Sequence, residues 1–371
     1  MSYLELKGTE LFRKADIRVN GSRPWDIQVH NKKFFSRLLK DGSIALGESY
    51  VDGWWDCKQI DQFVYRLLKN NILSKLHMSF INKAYNLRVK LLNLQSKKKA
   101  KKNVSFHYNL GNDLFEATLG KYMSYSCAYW KNAKNLDQAQ KNKMDLICKK
   151  LKLKKGMNVL DIGCGWGGFA KFAADKYRVK VVGLTLSQDQ YLYALTYCRD
   201  SNVEIRVEDY RDHKGQYDRV VCIEMMEHVG PKNHRDFMEC VHNNLKKDGL
   251  FLLQSISTSV SAKRNDPWID KYIFPGTVPL SAKQITTASE GLFYIADWHD
   301  FTEDYHKTML EWHKNFKKNW KDINQNYDEQ FYRLWEFYLL CCPATALAKT
   351  YHLWQVVFAR TDSDKQYTRI T

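Results

Sequence analysis

Val159-Leu160-Asp161-Ile162-Gly163-Cys164-Gly165-Trp166-Gly167-Gly168-Phe169 is the stretch whose reading decides the fold. Met157 to Ile162 is a short apolar run bounded by turn residues, the pattern of a buried strand. Gly163, Gly165, Gly167 and Gly168 then form a glycine-rich turn. Phe169, Phe172, Ala173 and Tyr177 follow at helical spacing. Glycine lets backbone N–H groups approach a ligand closely and adopts positive φ freely. A strand, a glycine turn and a helix at the mouth of a parallel sheet make a nucleotide-type pocket.

The dinucleotide pattern G-x-G-x-x-G fits Gly163, Gly165 and Gly168, so a dehydrogenase is one reading. Two features oppose it. Asp161 lies inside the strand, where its carboxylate can accept from an ammonium group. The next expected strand, Lys180 to Thr185, ends without the acidic residue that a dinucleotide ribose requires. D-x-G-x-G-x-G after a strand is instead the turn that holds S-adenosylmethionine. An ordinary strand-to-helix turn does not need four glycines and a strand-end Asp.

The chain has 371 residues, enough for a large domain and a smaller one. A hydrophobic content of 44% identifies a globular protein, and the 14% aromatic share suits either a tyrosine-rich core or wide apolar pockets. No apolar run is long enough to span a bilayer, and the N-terminus lacks a signal-peptide core. The cysteines are scattered without a C-x-x-C pair, so neither zinc nor a disulfide framework is expected and a reducing cytoplasm is the default.

The net charge of +17 favours an anionic partner, nucleic acid or lipid. From Asp61 to Asp113 there is no intervening acidic residue, and the stretch carries the run Lys97-Lys98-Lys99-Ala100-Lys101-Lys102. A lysine run is commonly a solvated linker. Here aliphatic residues interleave with the charge, and Met78 to Leu94 has the spacing of a basic amphipathic helix, which lies either on a membrane or on its own protein.

Three regions are expected. Residues 1–70 form a small α+β module for lipid binding or dimerisation. In it, Asp16–Gly21 and Trp25–His30 alternate like strands, helices begin near Asn31 and at Ile60, and Leu46–Trp55 is turn-rich. Residues 71–105 are a basic, partly helical linker. Residues 106–371 carry the chemistry. There, strands are expected near 180–185, 203–207, 218–224, 249–256, 292–297 and 352–360, with helices between them. The fold class is α/β, a doubly wound sheet. Residues 260–290 and 303–342, rich in aromatics, are expected to cover the pocket.

Successive strand ends offer polar groups to a nucleoside. Thr185 to Gln190 suits ribose hydroxyls. In Asp209-Tyr210-Arg211, an Asp can hold an adenine amino group while Tyr210 packs the ring. Glu227-His228 follows the fourth strand and suits acid–base work.

Taken together, His107–Asp113, Ser124–Trp130, Val159–Gly168, Met226–Asn233, Asp266–Ile269 and Trp354–Phe358 resemble the cyclopropane-fatty-acyl-phospholipid synthase family over nearly the whole chain. The resemblance implies a class I methyltransferase domain that moves the methyl of S-adenosylmethionine onto a cis double bond of a phospholipid acyl chain. A carbocation then loses a proton to bound bicarbonate as a cyclopropane ring closes. It implies donor contacts from Tyr125, Ser126, the turn Asp161 to Gly168, Thr185, Gln190, Asp209, Tyr210 and Arg211. It implies a bicarbonate cage of Cys127, Glu227, Ile256 and Tyr305. The family's cage histidine falls on Gln254, a departure, since an amide hydrogen-bonds but does not accept a proton at neutral pH. Retained cyclopropanation is the expectation, and a methyl-branched or methylene product is the alternative. The implied partner is an unsaturated, anionic phospholipid surface on the inner face of the membrane, and the small module is compatible with a homodimer. A small-amine methyltransferase on the same scaffold, an RNA methyltransferase and a lipid-surface binding protein without chemistry are the competing readings. The RNA reading lacks a nucleic-acid module.

Overall fold

The computed structural model describes residues 2–75, 95 and 110–370. The expected helix over 78–94, the lysine run and His107–Asn109 lie outside the described residues.

The chain opens with α1 (Tyr3–Lys14), started by a reciprocal cap in which Ser2 Oγ accepts from the Glu5 N–H and the Glu5 carboxylate accepts from the Ser2 N–H. Strand β1 (Gln28–Val29) follows, then α2 (Lys33–Asp41), α3 (Ser43–Val51), β2 (Trp55–Asp56), α4 (Ile60–Lys69) and α5 (Ile72–Lys75). The two strands expected over Asp16–Gly21 and Trp25–His30 shrink to β1, which pairs antiparallel with β2, and a single Val19–Ile27 bridge. Buried Asp26 explains this. Its carboxylate takes the Arg18 and Arg23 N–H groups at 2.8 and 3.0 Å, offering the backbone an alternative to a ladder. The segment expected to be turn-rich is the helix α3. Its Leu46 and Tyr50, four residues apart, share the buried face.

The remaining elements are α6 (Asn112–Leu119), α7 (Leu136–Lys150), β3 (Asn158–Ile162), α8 (Gly168–Tyr177), β4 (Lys180–Thr185), α9 (Gln188–Tyr197), β5 (Val203–Val207), β6 (Tyr217–Ile223), α10 (His234–Asn244), β7 (Leu245–Thr258), α11 (Pro267–Tyr272), β8 (Leu280–Ser281), α12 (Ala282–Ser289), β9 (Phe293–Asp300), α13 (Thr302–Ile323), α14 (Glu329–Leu347) and β10 (His352–Arg360). The main sheet has the order β5-β4-β3-β6-β7-β10-β9, with β8 beside β7. Strands β3 to β7 pair parallel, whereas β10 runs antiparallel between β7 and β9.

Successive side chains of a strand point to opposite faces, and the sequence uses both. Val159, Val181, Val221, Leu252 and Val357 pack with α7 and α8. Their neighbours Leu160, Val182, Val220, Phe251 and Val356 pack with α10 and α12. The sheet is therefore buried on both faces, which requires the near-continuous apolar strands seen here. The chain leaves β3 toward β4 and β5, then returns to lay β6 on the other side of β3. A crevice opens at the carboxyl ends of the strands where the order reverses.

A third apolar core joins the N-terminal helices to α6, α11, α13 and α14. Phe337 of α14 lies 5.5, 6.1 and 4.8 Å from the rings of Tyr50, Trp55 and Trp268. Tyr50 Oη donates to Glu336 at 2.6 Å, and Arg333 donates to the Tyr50 and Trp55 carbonyls. At Gly47 the helix α3 meets the buried Trp268 indole so closely that a Cβ would sit 2.2 Å from its Nε1. Glu48 next to it accepts from Lys271 and Tyr272, both at 2.7 Å. The N-terminal helices thus hold the segment that covers the pocket.

Gly47→Ala tests this contact. Alanine gains about 1 kcal/mol over glycine inside a helix, but overpacking a well-filled core costs about 1–3 kcal/mol. A methyl group overlapping a fully buried indole lies at the costly end. The urea midpoint should therefore fall below that of the parent, and an unchanged or raised midpoint would show that α3 slides away freely.

Candidate active site

At the crevice the strand ends form a cavity with about 1260 Å³ of empty space, open mouth included. Gly163 (φ +84°) turns the chain out of β3, and its N–H donates to Leu184 O at 2.9 Å. Gly168 passes so close to the Tyr122 carbonyl that a Cβ would lie 2.2 Å from its oxygen. Gly163, Gly165 and Gly168 line this cavity, as expected. Gly167 does not. It starts α8 in the left-handed conformation (φ +86°) and slips past Cys198 Sγ, a packing role.

Asp161 is buried, yet its Oδ2 has no hydrogen-bond partner among the described residues, and the residue lines the cavity. Burial pushes its carboxyl up to about 7, opposed by the charge of Lys143. Thr185 and Gln190 also line the cavity, and Thr185 Oγ1 donates to Gln190 Oε1 at 2.8 Å. The orphaned carboxylate oxygen, the bare glycine backbone and these polar groups fit a donor with an ammonium and a nucleoside. Tyr210 and Arg211 line the far wall. Asp209 departs from expectation. Its carboxylate is held bidentate by the Arg211 guanidinium at 2.6 and 2.8 Å, and Glu208 lines the cavity instead.

The loop Ser124–Cys127 closes the cavity from the side. It is pinned by Lys143, a fully buried cation whose Nζ donates to Ser124 Oγ at 2.7 Å and Ser126 Oγ at 2.8 Å. Gln140 one turn earlier donates to the Ser124 and Ser126 carbonyls. Burial brings the Lys143 ammonium down to about 8, against the charges of Glu224, Cys127 and Asp161. Sequence reading passed over Lys143. The available signal was a lysine on the buried stripe Ala139, Lys143, Met144, Ile147 of α7.

A second cavity, of about 880 Å³, is mostly apolar, with Ile256, Ile269, Phe274, Met309 and Ala346 in its wall. The two cavities share Tyr125, Glu224 and His228. Tyr125 Oη meets Tyr338 Oη at 2.7 Å. His228 is kept neutral by burial, its imidazole brought down to about 4, and its ring packs edge-on against Phe274 at 5.8 Å. It forms no acid–base pair with Glu227, whose carboxylate turns toward β7.

The residues expected to cage bicarbonate do converge, but on a protein carboxylate. Glu224 Oε1 accepts from the Cys127 N–H at 2.9 Å and from Gln254 Nε2 at 2.7 Å, and Oε2 accepts from Tyr305 Oη at 2.9 Å. Gln254 is fixed in turn by Gln355 on β10, which donates to its Oε1 at 2.9 Å. Glu227 stands apart, with Oε1 accepting from the Ile256 N–H and from Ser255 Oγ and Oε2 unpartnered among the described residues. Burial, and then the charge of Glu224, push the Glu227 carboxyl up to about 8. Three of the expected bicarbonate donors are therefore already engaged by Glu224, and bicarbonate does not fit this donor set. The Cys127 thiol is also not the functional group. Burial holds it well above the usual thiol range, and Sγ faces Ala128 O and Thr308, so the residue serves through its N–H. Among the described residues, no group of His, Cys, Asp and Glu is arranged to hold a metal ion.

The sheet order, the glycine turn and the donor cavity define an S-adenosylmethionine-dependent class I methyltransferase. Residues 95–356 match the family model for mycolic acid cyclopropane synthetase. The chain is 46% identical over 351 residues to the cyclopropane-fatty-acyl-phospholipid synthase of Escherichia coli K12, covering 95% of this chain and 92% of that one. It is 33% identical over 256 residues to a probable fatty acid methyltransferase of Pseudomonas putida, 64% of each chain. A solved cyclopropane synthase from Mycobacterium tuberculosis superposes with TM-score 0.66 at 28% identity, covering 70% of this chain and 98% of that chain. A mycolic acid cyclopropane synthase solved with SAH and CTAB gives the same values. The chain belongs to the mycolic acid cyclopropane synthetase family.

The Asp161 carboxyl sets a pH dependence for donor binding. Its raised value means that the ionised form is disfavoured in the free protein. A ligand ammonium favours that form, so affinity rises as pH rises through about 7. Calorimetric titration with S-adenosylhomocysteine should show about tenfold tighter binding at pH 8 than at pH 6. Asp161→Asn should bind more weakly and lose this slope. A slope that survives the substitution would assign it to another group.

Proposed function

We infer that the protein transfers a methylene group from S-adenosylmethionine to the cis double bond of an unsaturated phospholipid acyl chain, forming a cyclopropane ring. The observation that carries this reading is the pair of cavities that meet at Tyr125, Glu224 and His228. One lies on the strand ends and presents Asp161, Thr185 and Gln190, and the other is mostly apolar, as an alkyl chain requires. A simple alkene is a weak nucleophile, so alignment at this junction supplies much of the rate. The bound donor supplies a methyl group on a sulfonium.

The chain's residues suit the rest of the reaction. Positive charge develops on the acyl chain beside the Tyr125 ring and the Glu224 carboxylate, both of which favour it electrostatically. The apolar wall excludes the water that would trap a cation as an alcohol. Tyr305 and Gln254 hold Glu224 in place through the bonds described above. The E. coli relative, matched over nearly the whole chain, is named for this reaction on phospholipids.

The lipid partner belongs to the same reading. Among the described residues, no helix is long and apolar enough to cross a membrane. A net charge of +17 favours an anionic surface, worth about 1 kcal/mol per basic residue near it. The enzyme then works peripherally on the inner face of the membrane. A homodimer is compatible with this arrangement.

The test is mass spectrometry of acyl chains from unsaturated phospholipid vesicles incubated with the protein and methyl-labelled S-adenosylmethionine. The expected product is heavier by one CH₂ and resists hydrogenation. A labelled product that takes up hydrogen, or one with a methyl branch, would replace cyclopropanation by simple C-methylation. Absence of lipid label would overturn the lipid reading.

A further inference from the structure

We propose that Glu224 is the general base that takes the methyl proton at ring closure, so that this protein needs no bicarbonate. The proposal rests on the cyclopropanation reading above and deepens its last step.

Four observations support it. First, position: Glu224 follows β6 at the sheet's crevice and lines both the donor cavity and the apolar cavity. It is therefore adjacent to the place where methyl group and alkene meet. Second, hydrogen bonding: a carboxylate has about four acceptor sites. Three face the Cys127 N–H, Gln254 Nε2 and Tyr305 Oη, which leaves one for a proton. The planar O–C–O group thus takes the donors that a bicarbonate ion would need. Third, backbone: Glu224 has φ +50°, a left-handed conformation that costs a non-glycine residue of order 1 kcal/mol. Its N–H donates to Gln254 O at 2.7 Å, which holds the bend and aims the side chain into the junction. Fourth, the neighbouring groups are less suited. Glu227 faces the β7 backbone and lines only the apolar cavity. Among the described residues His228 has no paired carboxylate, and Gln254 has no basic atom.

The alkene π pair forms the bond to the methyl carbon as the carbon–sulfur bond breaks, and its electrons stay on sulfur. The adjacent acyl carbon becomes the cation. Glu224 removes one proton from the new methyl group. The electrons of that C–H bond form the second carbon–carbon bond and close the ring. Glu224 is left as the neutral acid, and its proton passes to solvent once the product leaves. Burial raises the Glu224 carboxyl above its usual range, against the bonds from Gln254 and Cys127, which makes it a stronger base than a surface glutamate.

The test uses the full-length protein with unsaturated phospholipid vesicles and labelled S-adenosylmethionine, in buffer stripped of carbon dioxide and in the same buffer with added bicarbonate. The wild-type rate of ring formation is expected to agree within twofold between the two. Glu224→Gln, which keeps the side-chain shape, is expected to lose at least a hundredfold in ring formation while still binding S-adenosylhomocysteine. Glu224→Gly removes the carboxylate and frees its donors, and its residual rate is expected to rise at least tenfold with bicarbonate. A wild-type rate that collapses on stripping and returns with bicarbonate would overturn the assignment while leaving cyclopropanation intact. So would a donor-binding Glu224→Gln protein that forms rings at the wild-type rate. No labelled lipid from the wild type in either buffer would overturn the cyclopropanation reading itself, and the base assignment with it.

Discussion

One carboxylate joins three separate parts of the chain. Glu224, at the end of β6, accepts from the loop before α7 through Cys127, from β7 through Gln254 and from α13 through Tyr305. A hydrogen bond to a charged group contributes about 1.5–3 kcal/mol, whereas removing an ion from water costs several kcal/mol. Three such bonds roughly offset the desolvation. The carboxylate is thereby kept in a largely apolar site at little net cost, and its removal would leave donors on all three elements unsatisfied. The floor and two walls of the junction therefore depend on it.

The covers that make the junction dry are held from outside the sheet as well as by it. Helices α13 and α14 and the turn of α11 pack into the same apolar core as the N-terminal helices. The aromatic cluster around Phe337 carries that contact, and Glu48 ties α3 to Lys271 and Tyr272 of the covering segment. The region expected to act as a separate module is thus also a clamp on the roof of the apolar cavity. Its two short strands matter less than its helices.

Much of this was legible in the sequence, and the divide is physical. Local signals held: the strand, glycine turn and helix around Asp161, the alternation of strands and helices, and the aromatic covers. The strand ranges 180–185 and 352–360 match the structure because apolar runs buried on both faces leave little freedom, and 203–207 matches although Val203–Val207 is a partly exposed edge strand. The misreadings in the first 60 residues have local causes. Ser2 and Glu5 formed a readable cap for α1 that went unused, and Asp26 diverted backbone donors that alternation had assigned to a ladder. The roles of Glu224 and Asp209 were not readable in this way. Asp209 is paired with an arginine two residues away, and only side-chain geometry shows it. Glu224 gains its meaning from the antiparallel register that sets Gln254 beside Gln355, a contact between residues 101 positions apart. The glutamine in place of a histidine was the one visible sign that proton chemistry here had moved to another group.

Electrostatics give that move a reason. Among the described residues, the buried site holds three carboxyl groups, Asp161, Glu224 and Glu227, and one buried cation, Lys143. Full ionisation of all three without a ligand would leave uncompensated negative charge in low dielectric, where repulsion between close charges is strong. Burial therefore pushes Asp161 up to about 7 and Glu227 up to about 8, so the free site sheds part of its charge. Glu224, with three donors, is best placed to remain ionised. A donor carrying an ammonium and a sulfonium brings the missing positive charge and draws Asp161 into its ionised form. Transfer of the methyl group then moves positive charge from sulfur onto the acyl chain, beside the Glu224 carboxylate that takes the proton at ring closure. A diffusible anion in that position would add a further negative charge to a site that already holds back its own. A glutamate fixed on β6 supplies the base without that addition.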